Sequence, residues 1–302
     1  KVFSNTKQYK IDVLASKISN NEMTSLILSA NIKTFKKFNS KSTCRNIVYG
    51  GILYLQGCEE NELPSLMQSL DTKAKSNSLF TEIRNIVDSK NVKVLLSKCG
   101  YKYFDYLNYL IPLNRDPNDI FANFSRTRKQ NIKKLKKIGL VVNEVYDRKD
   151  VSKIYEILKS TYHKIRVPLA DISLFESTFD IMHSNKMAKF YIISDGRDEV
   201  AAGVALFYKK TIYLWYLGTK DEYLKITPAS LIVWHLIQWG SHHGYQTLDF
   251  LGAGKPDEPY GVREFKRRFG GMEVNYGRFQ RIYSPILLKV SESVYNIYRK
   301  FL

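Results

Sequence analysis

Cysteine is scarce in this chain and badly spaced for stapling. Cys44, Cys58 and Cys99 make an odd total, and no CxxC pair stands among them. That pattern gives neither a disulfide framework nor a zinc knuckle, and a reducing compartment is expected. The five histidines, His163, His183, His235, His242 and His243, keep no ligand spacing with cysteines or carboxylates, so no metal site is expected. His242 and His243 follow a helical run and read as neighbours of its C-terminal dipole. No uninterrupted apolar run approaches the ~18 residues of a membrane span. No signal peptide is visible in a sequence that opens on Lys1. A Walker loop, a Rossmann fingerprint, a Gly-x-Ser-x-Gly elbow and an HExxH pair are all missing, which leaves phosphoryl-transfer, dinucleotide, serine-hydrolase and zincin chemistry without support. The glycines of GGIL, GAG and FGG are isolated pairs and make no nucleotide loop.

What the chain has in excess is positive charge. Lys and Arg number 47 against 29 Asp and Glu, a formal charge of +18 over 302 residues. Such a balance points to an anionic partner, whether nucleic acid, a phosphate-bearing substrate or an acidic membrane face, and says nothing of the fold. A generally basic soluble surface is the plainer alternative. Hydrophobic residues at 44% are enough for a packed core, and the length fits one large domain or two of ordinary size.

Periodicity supplies the elements. NIVYGGILYLQ (46–56) reads as a strand kinked at Gly50-Gly51. Leu63, Leu66, Met67, Leu70 and Ala74 follow helical spacing, with Pro64 placed in a first turn. LFTEIRNI and YFDYLNYLIPL (103–113) read as strands. Asp116-Pro117 opens a helical region that runs through Ile120, Phe124, Ile132, Leu135 and Ile138 to Gly139. LVVNEVY is a short strand, and Val151, Ile154, Ile157, Leu158 and Thr161 mark a new helix. The domain boundary therefore falls at 147–150, giving lobes of 1–147 and 148–302. Residues 189–218 read as a three-strand meander. A strongly apolar helix follows, with Thr227 as N-cap and Pro228 at its first position, and then the strand YQTLDFLG. Each half thus repeats strand, helix with an early proline, and strand, which favours two related α/β lobes. SPILLKVSESVYNIYRKF forms an amphipathic helix whose Ile286, Leu287, Val290, Val294, Ile297, Tyr298 and Phe301 dock on the core or, alternatively, lie in a membrane interface.

Two stretches carry chemistry. RTRKQNIKKLKK (126–137) holds seven basic residues and no acid. Arg126, Lys129, Lys133, Lys136 and Lys137 share one helical face, and Ile132, Leu135 and Ile138 form another. Like charges on a helix repel by a few tenths of a kcal/mol per pair, so such a run is better explained by a polyanion than by solvent alone. GVREFKRRFGG (261–271) follows the strand end at Asp249 and the bend Gly252-Ala253-Gly254. Phe265 and Phe269, four apart, would face the core. Acyl transfer to an amine needs the amine deprotonated, the carbonyl oxygen's charge stabilised and phosphates held. A lysine at 266, beside a ring and a strand end, suits the second task. Arg263 or Arg267 suits the third, because a guanidinium matches phosphate bidentately. A basic surface turn anchored by two phenylalanines is the equal alternative on spacing alone.

Residues 100–280 resemble Fem-type aminoacyltransferases and their relatives in the GNAT superfamily. The resemblance rests on Arg128, Ile132, Lys133, Lys134, Lys137 and Gly139 in the basic run. It rests further on Tyr216, Gly218, Pro228, Leu231, Trp234, Ile237, Gly244, Asp249, Gly252, Gly261, Phe265, Lys266, Phe269 and Gly270 in the second half. It implies an α/β (α+β) fold of two tandem GNAT-like lobes with a cleft between them, each a mixed, mostly antiparallel sheet flanked by helices. It implies an N-acyltransferase or aminoacyltransferase with Lys266, Asp249 and Phe265 at the catalytic centre. Substrate contacts are expected from Arg128, Lys129, Tyr216, Tyr260, Arg263 and Arg267. In the family the lysine of the Phe-Lys pair is held to stabilise the transition state; Asp249 is read as a base, a positioning group or a buried structural acid. Aminoacyl-tRNA is the expected co-substrate, acyl-CoA the alternative, and no cofactor is expected to be tightly bound. The acceptor is expected to bear phosphate, as a cell-wall precursor does, and the protein to work in the cytoplasm, with peripheral contact to an acidic membrane surface as a further expectation. The turn YLKITPAS lacks the glycines with which a CoA enzyme cradles pyrophosphate at a helix start. The helical hairpin arm of some Fem enzymes is missing, with only residues 172–187 in its place. A CoA-dependent N-acyltransferase of an amino sugar or small amine, and a catalytically inactive RNA- or membrane-binding module, are the rival functions.

Overall fold

The computed structural model describes residues 1–17, 22–34, 41–57 and 59–298. Cys58 and Phe301 lie outside the described residues. The chain divides into two units. A split unit comprises Thr6–Tyr106 and Asn275–Leu302, and an inner unit comprises Leu107–Val274 with Lys1–Asn5. The expected boundary at 147 is therefore corrected. The reason lies in the aromatic run 103–113, which is two strands. Lys102–Phe104 pairs with Arg278–Ile282 in the split unit, whereas Leu107–Pro112 pairs antiparallel with Thr247–Asp249 in the inner one.

In the split unit the strands lie in the order Tyr9–Lys17, Met23–Lys33, Cys44–Gly50, Phe80–Asn85, Arg278–Ile282, Lys102–Phe104. Cys44–Gly50 and Phe80–Asn85 run parallel. The helix Glu59–Asn77 makes the crossover that a parallel pair requires. Its Leu63, Leu66, Met67, Leu70 and Ala74 are buried, as their spacing predicts. Pro64 sits in the helix interior rather than in the first turn. The run 46–56 is broken, not merely kinked: Gly50 and Gly51 both take positive φ, and the chain re-enters only as Leu53–Tyr54, paired with Met23–Lys33. Buried Asp71 accepts hydrogen bonds from the hydroxyls of Tyr101 (2.7 Å) and Tyr283 (2.6 Å) and from Arg281, tying the last strand to the crossover helix.

The inner unit holds a second sheet, in the order Met272–Asn275, Leu107–Pro112, Thr247–Asp249, Thr211–Thr219, Glu199–Tyr208, Ala188–Ser194, Val141–Glu144. The expected meander is present and antiparallel. The apolar helix Ser230–His242 connects the parallel pair Thr211–Thr219 and Thr247–Asp249 and buries Leu231, Ile232, Val233, Trp234, Leu236 and Ile237. It starts later than its sequence signals. Thr227 adopts a left-handed conformation (φ 52°), and Ala229 occupies the N-cap, because the amides of Ser230 and Leu231 turn back onto the carbonyls of Thr227 and Pro228. The helical region 116–138 is two helices, Pro117–Ala122 and Arg126–Lys137. The second is started by Ser125, whose side chain accepts from the Arg128 amide at 3.2 Å. Ile138 lies just past that helix and is exposed, not on its core face. Residues 172–187 form the short helix Ile172–Thr178 and a wide turn, Phe179–His183, packed into the inner unit through Leu174, Phe175 and Phe179.

Among the described residues no helix is long and apolar enough to cross a membrane. In the C-terminal helix Pro285–Tyr298 the stripe Ile286, Leu287, Val290 and Val294, expected to dock on the core, is exposed; Leu288, Ser291 and Tyr295 are its partly covered side.

Candidate active site

The site grows out of the middle of the inner sheet. The strand Thr247–Asp249 pairs in parallel with Thr211–Tyr213 and stops, while its neighbour continues to Thr219. The two strands part there. On its other side the neighbouring strand carries a bulge, since Val204 faces Tyr216 and Ala205 faces Leu214, leaving Trp215 unpaired. Chain leaving Asp249 must therefore bend, and the polar groups it frees need partners.

Asp249 supplies the first of them. It is 3% exposed, and its Oδ1 accepts from Asn108 Nδ2 and from the Leu251 amide, each at 2.7 Å. Asn108, on the adjacent antiparallel strand, uses its Oδ1 to accept from the amides of Tyr109 and Gly252, each at 2.8 Å. Leu251 is thereby held at φ 56°, a left-handed state that costs a leucine about 1–2 kcal/mol. Burial pushes the Asp249 carboxyl above its usual range, against the hydrogen bonds of Asn108 and Leu251 and the charge of Lys266.

The strained bend directs two carbonyls at Lys266. Its ammonium donates to Phe250 O at 2.6 Å and to Gly252 O, and stands 5.8 Å from the Phe250 ring centre. Desolvation pushes the Lys266 ammonium down to about 8, against the attraction of Asp249. Arg263, one helical turn earlier in Gly261–Arg267, serves the same loop. It donates to the carbonyls of Ala253 (2.9 Å), Pro256 (2.8 Å), Glu258 (2.9 Å) and Lys255. Arg263 is thus an organiser of the loop and not a free phosphate ligand, because its fork is filled by carbonyl oxygens. Tyr260 packs on Gly254, where a Cβ would come within 2.8 Å of the ring.

The basic helix lies in the same unit as Lys266, although its position before residue 147 placed it in the other lobe. Arg128 does not point to solvent with the lysines. It is 4% exposed and shares the buried face with Ile132 and Leu135, at the i, i+4, i+7 spacing of one helical stripe. Its guanidinium lies 4.6 Å from the centre of the Phe265 ring and 4.5 Å from that of Phe269. It donates to Phe265 O at 3.3 Å and to Asn131 Oδ1 at 3.2 Å. Phe265 accordingly acts as a wall and a carbonyl, packed against Phe269 in the core. Asn131 ties this cage to the start of Ser230–His242 by donating to Ile226 O (2.7 Å) and accepting from Ser230 Oγ (2.7 Å).

The other expected contacts fall elsewhere. Arg267 is exposed and engaged by Glu264 at 2.9 and 3.0 Å. Lys129 caps the preceding helix by donating to Ala122 O at 3.0 Å. Tyr216 packs among Phe175, Trp215 and Tyr162. Asn108 and Asn131 were not foreseen. Lone asparagines on a strand and a helix carry no motif, and their roles depend on partners about 100 to 140 residues away in sequence.

Residues 122–267 match the family model described as an acetyltransferase (GNAT) domain. No curated protein matches the chain significantly. Among solved structures, FemX is similar with a TM-score of 0.67 at 15% identity, covering 99% of this chain and 93% of that one. The C-terminal domain (DUF2156) of a protein assigned as a lysylphosphatidylglycerol synthetase, from Agrobacterium fabrum, gives 0.61 at 12% identity, covering 97% and 91%. A tandem GNAT protein of the clavulanic acid pathway gives 0.59 at 8% identity, covering 93% and 85%. The fold is that of tandem GNAT-like lobes.

Proposed function

With a GNAT acetyltransferase domain over residues 122–267, the chain is an N-acyltransferase, and we propose that it moves an aminoacyl group from aminoacyl-tRNA to an amine of a phosphate-bearing acceptor of the cell-wall precursor kind. The carrying observation is the lodging of Lys266 on Phe250 O and Gly252 O at the end of the strand that bears Asp249. Likeness of fold to FemX and to the lysylphosphatidylglycerol synthetase domain supports an aminoacyl over an acetyl group.

In the reaction the acceptor nitrogen forms a bond to the ester carbonyl carbon, the bond to the ribose oxygen breaks, and the amine's proton passes to that leaving oxygen. Negative charge appears on the carbonyl oxygen between these events. Two N–H groups of Lys266 are spent on backbone carbonyls, which hold the ammonium protonated and fixed; the third is left for the oxyanion. Asp249 acts through position. It fixes Leu251, and through Leu251 the two carbonyls, and its charge supports the ammonium.

Acyl-CoA as donor is a second reading, favoured by the GNAT acetyltransferase domain match and by the end of pairing between Thr211–Thr219 and Thr247–Asp249 next to the bulge at Trp215. A screen of aminoacyl-tRNA and acyl-CoA donors against wall-precursor and amino-sugar amines, read by product mass, separates the two. Lys266→Met should lower turnover by about 2–4 kcal/mol in activation free energy, the range of a lost oxyanion donor, with an unchanged circular-dichroism spectrum. Undiminished turnover would take Lys266 out of the mechanism.

A further inference from the structure

The last helix, Pro285–Tyr298, carries an apolar stripe that the described residues leave open. Ile286 is 79% exposed, Val290 55%, Val294 53% and Leu287 40%. These positions stand at i, i+4, i+8 and i+1, which at 3.6 residues per turn puts all four on one arc of about 100°. The partly covered side, Leu288, Ser291 and Tyr295, lies about a third of a turn away. The helix therefore rests on the split unit by one face and presents the stripe on another. Its start is anchored, because the hydroxyl of Tyr283, two residues earlier, donates to Asp71 at 2.6 Å and shares a hydrogen bond of 2.7 Å with Thr81. A contiguous exposed stripe on an anchored helix marks a contact surface, whereas single exposed aliphatics do not.

The stripe suits a lipid surface better than a second copy of the chain. A stable protein interface covers roughly 800 Å² per partner and centres on aromatic or arginine anchors. Here there are four aliphatic side chains and no ring among them. A bilayer asks for less area, since a short apolar stripe enters the acyl boundary when attraction to anionic headgroups adds to it. That charge is present. Glu292 is the only acid from Asn275 to Leu302, and helical geometry puts it on the side away from the stripe. Lys289 is exposed and borders the stripe beyond Ile286, and Arg299 and Lys300 follow in the sequence. The chain behind them carries +18, which complements an anionic surface and opposes the approach of a second copy.

We propose that the stripe Ile286, Leu287, Val290 and Val294 seats this protein on an anionic lipid bilayer, the four side chains entering the acyl boundary and Lys289 meeting the headgroups. The inference goes beyond the acyltransferase reading and does not depend on it. Neither contribution holds the protein alone. The stripe is too short for stable insertion, and exposed lysines without it give only salt-screened attraction. Binding must therefore respond both to lipid charge and to a single apolar substitution.

The test is co-sedimentation of the whole chain with vesicles of equal parts phosphatidylcholine and phosphatidylglycerol, against vesicles of phosphatidylcholine alone. Wild type should bind the mixed vesicles at least tenfold more tightly than the neutral ones. Val290→Glu, an exposed change that keeps the helix, should weaken binding at least tenfold with an unchanged circular-dichroism spectrum, and Lys289→Glu several-fold. Val290→Trp should bind more tightly than wild type, and its emission should shift to the blue on mixed vesicles. Two controls should stay within twofold of wild type: Val94→Glu, which removes a 68% exposed apolar side chain from another helix of the same unit, and Arg126→Glu, which makes a like change of charge on the basic helix of the inner unit. Lys266→Met should bind as wild type does, which keeps this result apart from the fate of the acyltransferase reading. Absence of binding by wild type to mixed vesicles overturns the proposal. So does a loss in either control that matches Val290→Glu, since the whole surface would then be the adhesive, and so does an unshifted emission in Val290→Trp. A dimer seen by light scattering and abolished by Val290→Glu would assign the stripe to a second copy and overturn it as well.

Discussion

Lys266 carries its own pH signature. If the ammonium stabilises the oxyanion, catalysis needs the protonated form, so kcat should be level below about pH 8 and fall as pH rises through that value, where the ammonium titrates. Lys266→Arg stays protonated and should lose this basic limb, though at a lower rate; a basic limb unchanged in that variant assigns it to another group. Stability follows from the same shift. Between about 8 and the ordinary lysine range the folded state binds fewer protons than the unfolded chain, so this residue makes stability rise with pH across that window, a slope that Lys266→Met should lack in urea titrations. Asn108 is the other residue to probe. Asn108→Ala removes the donor to Asp249 and the acceptor of the Gly252 amide, which frees the Leu251 bend. Turnover should fall at least tenfold, and the basic limb should move, because the carbonyls that hold the ammonium shift with the bend. A lower melting temperature with an unmoved pH profile would mark Asn108 as structural only. That Lys266 and Asp249 would lie close to one another was legible because a lysine between aromatic positions after a strand-end aspartate is a local pattern. Arg128 was visible as a basic residue but not as a buried one. Only its spacing to Ile132 and Leu135 set it apart from five exposed basic neighbours and the half-buried Lys129.

At the scale of elements, the meander of residues 189–218 and the helices carrying Leu63–Ala74 and Leu231–Ile237 followed from periodicity, since each buries one continuous face. The helix expected over 116–138 did not, because nothing at Asn123–Ser125 breaks a helix by composition; the break comes from Ser125 capping a new one. The junction after the Lys266 helix depends on a glycine at 270. It takes φ 67°, and a Cβ there would lie 2.2 Å from the Asn123 carbonyl oxygen, in the link between the two helices of the basic region. Neither partner is a flexible side-chain end. Gly270→Ala should therefore cost about 2–4 kcal/mol, strain and overpacking together. At about 2–4 °C per kcal/mol for a unit of this size, the melting temperature should drop by several degrees or more. Gly261→Ala is the control, since nothing lies within 4 Å of its Cβ position and the helix begins there. Equal melting temperatures for the two variants would mean that the Asn123 link yields.

For the whole molecule, the division into units was the least legible feature. The new helix after Asp147 placed the boundary at 147–150, yet the chain commits residues 6–106 to one unit, residues 107–274 to another, and then returns. A strand pairing between Lys102–Gln280 and Phe104–Arg278 joins segments far apart in sequence, and no local periodicity announces such a partner. The return is structural for the split unit. Arg278–Ile282 lies between Phe80–Asn85 and Lys102–Phe104, buries Phe279 completely, and is followed by Tyr283 on Asp71. Ending the chain after Val274 would open the sheet, leave Asp71 with Tyr101 but without Arg281 and Tyr283, and expose the edge of Phe80–Asn85. Hydrogen exchange read by mass spectrometry should then show protection lost over residues 23–33, 44–50 and 80–85 and kept over 199–219 and 230–242, where every ladder partner remains. The milder change Phe279→Ala should cost about 3–5 kcal/mol and weaken the same three segments first. Protection lost evenly over both sheets would mean that the units unfold as one cooperative body. Unaltered protection over residues 80–85 in the truncated chain would show that the returning strand is dispensable.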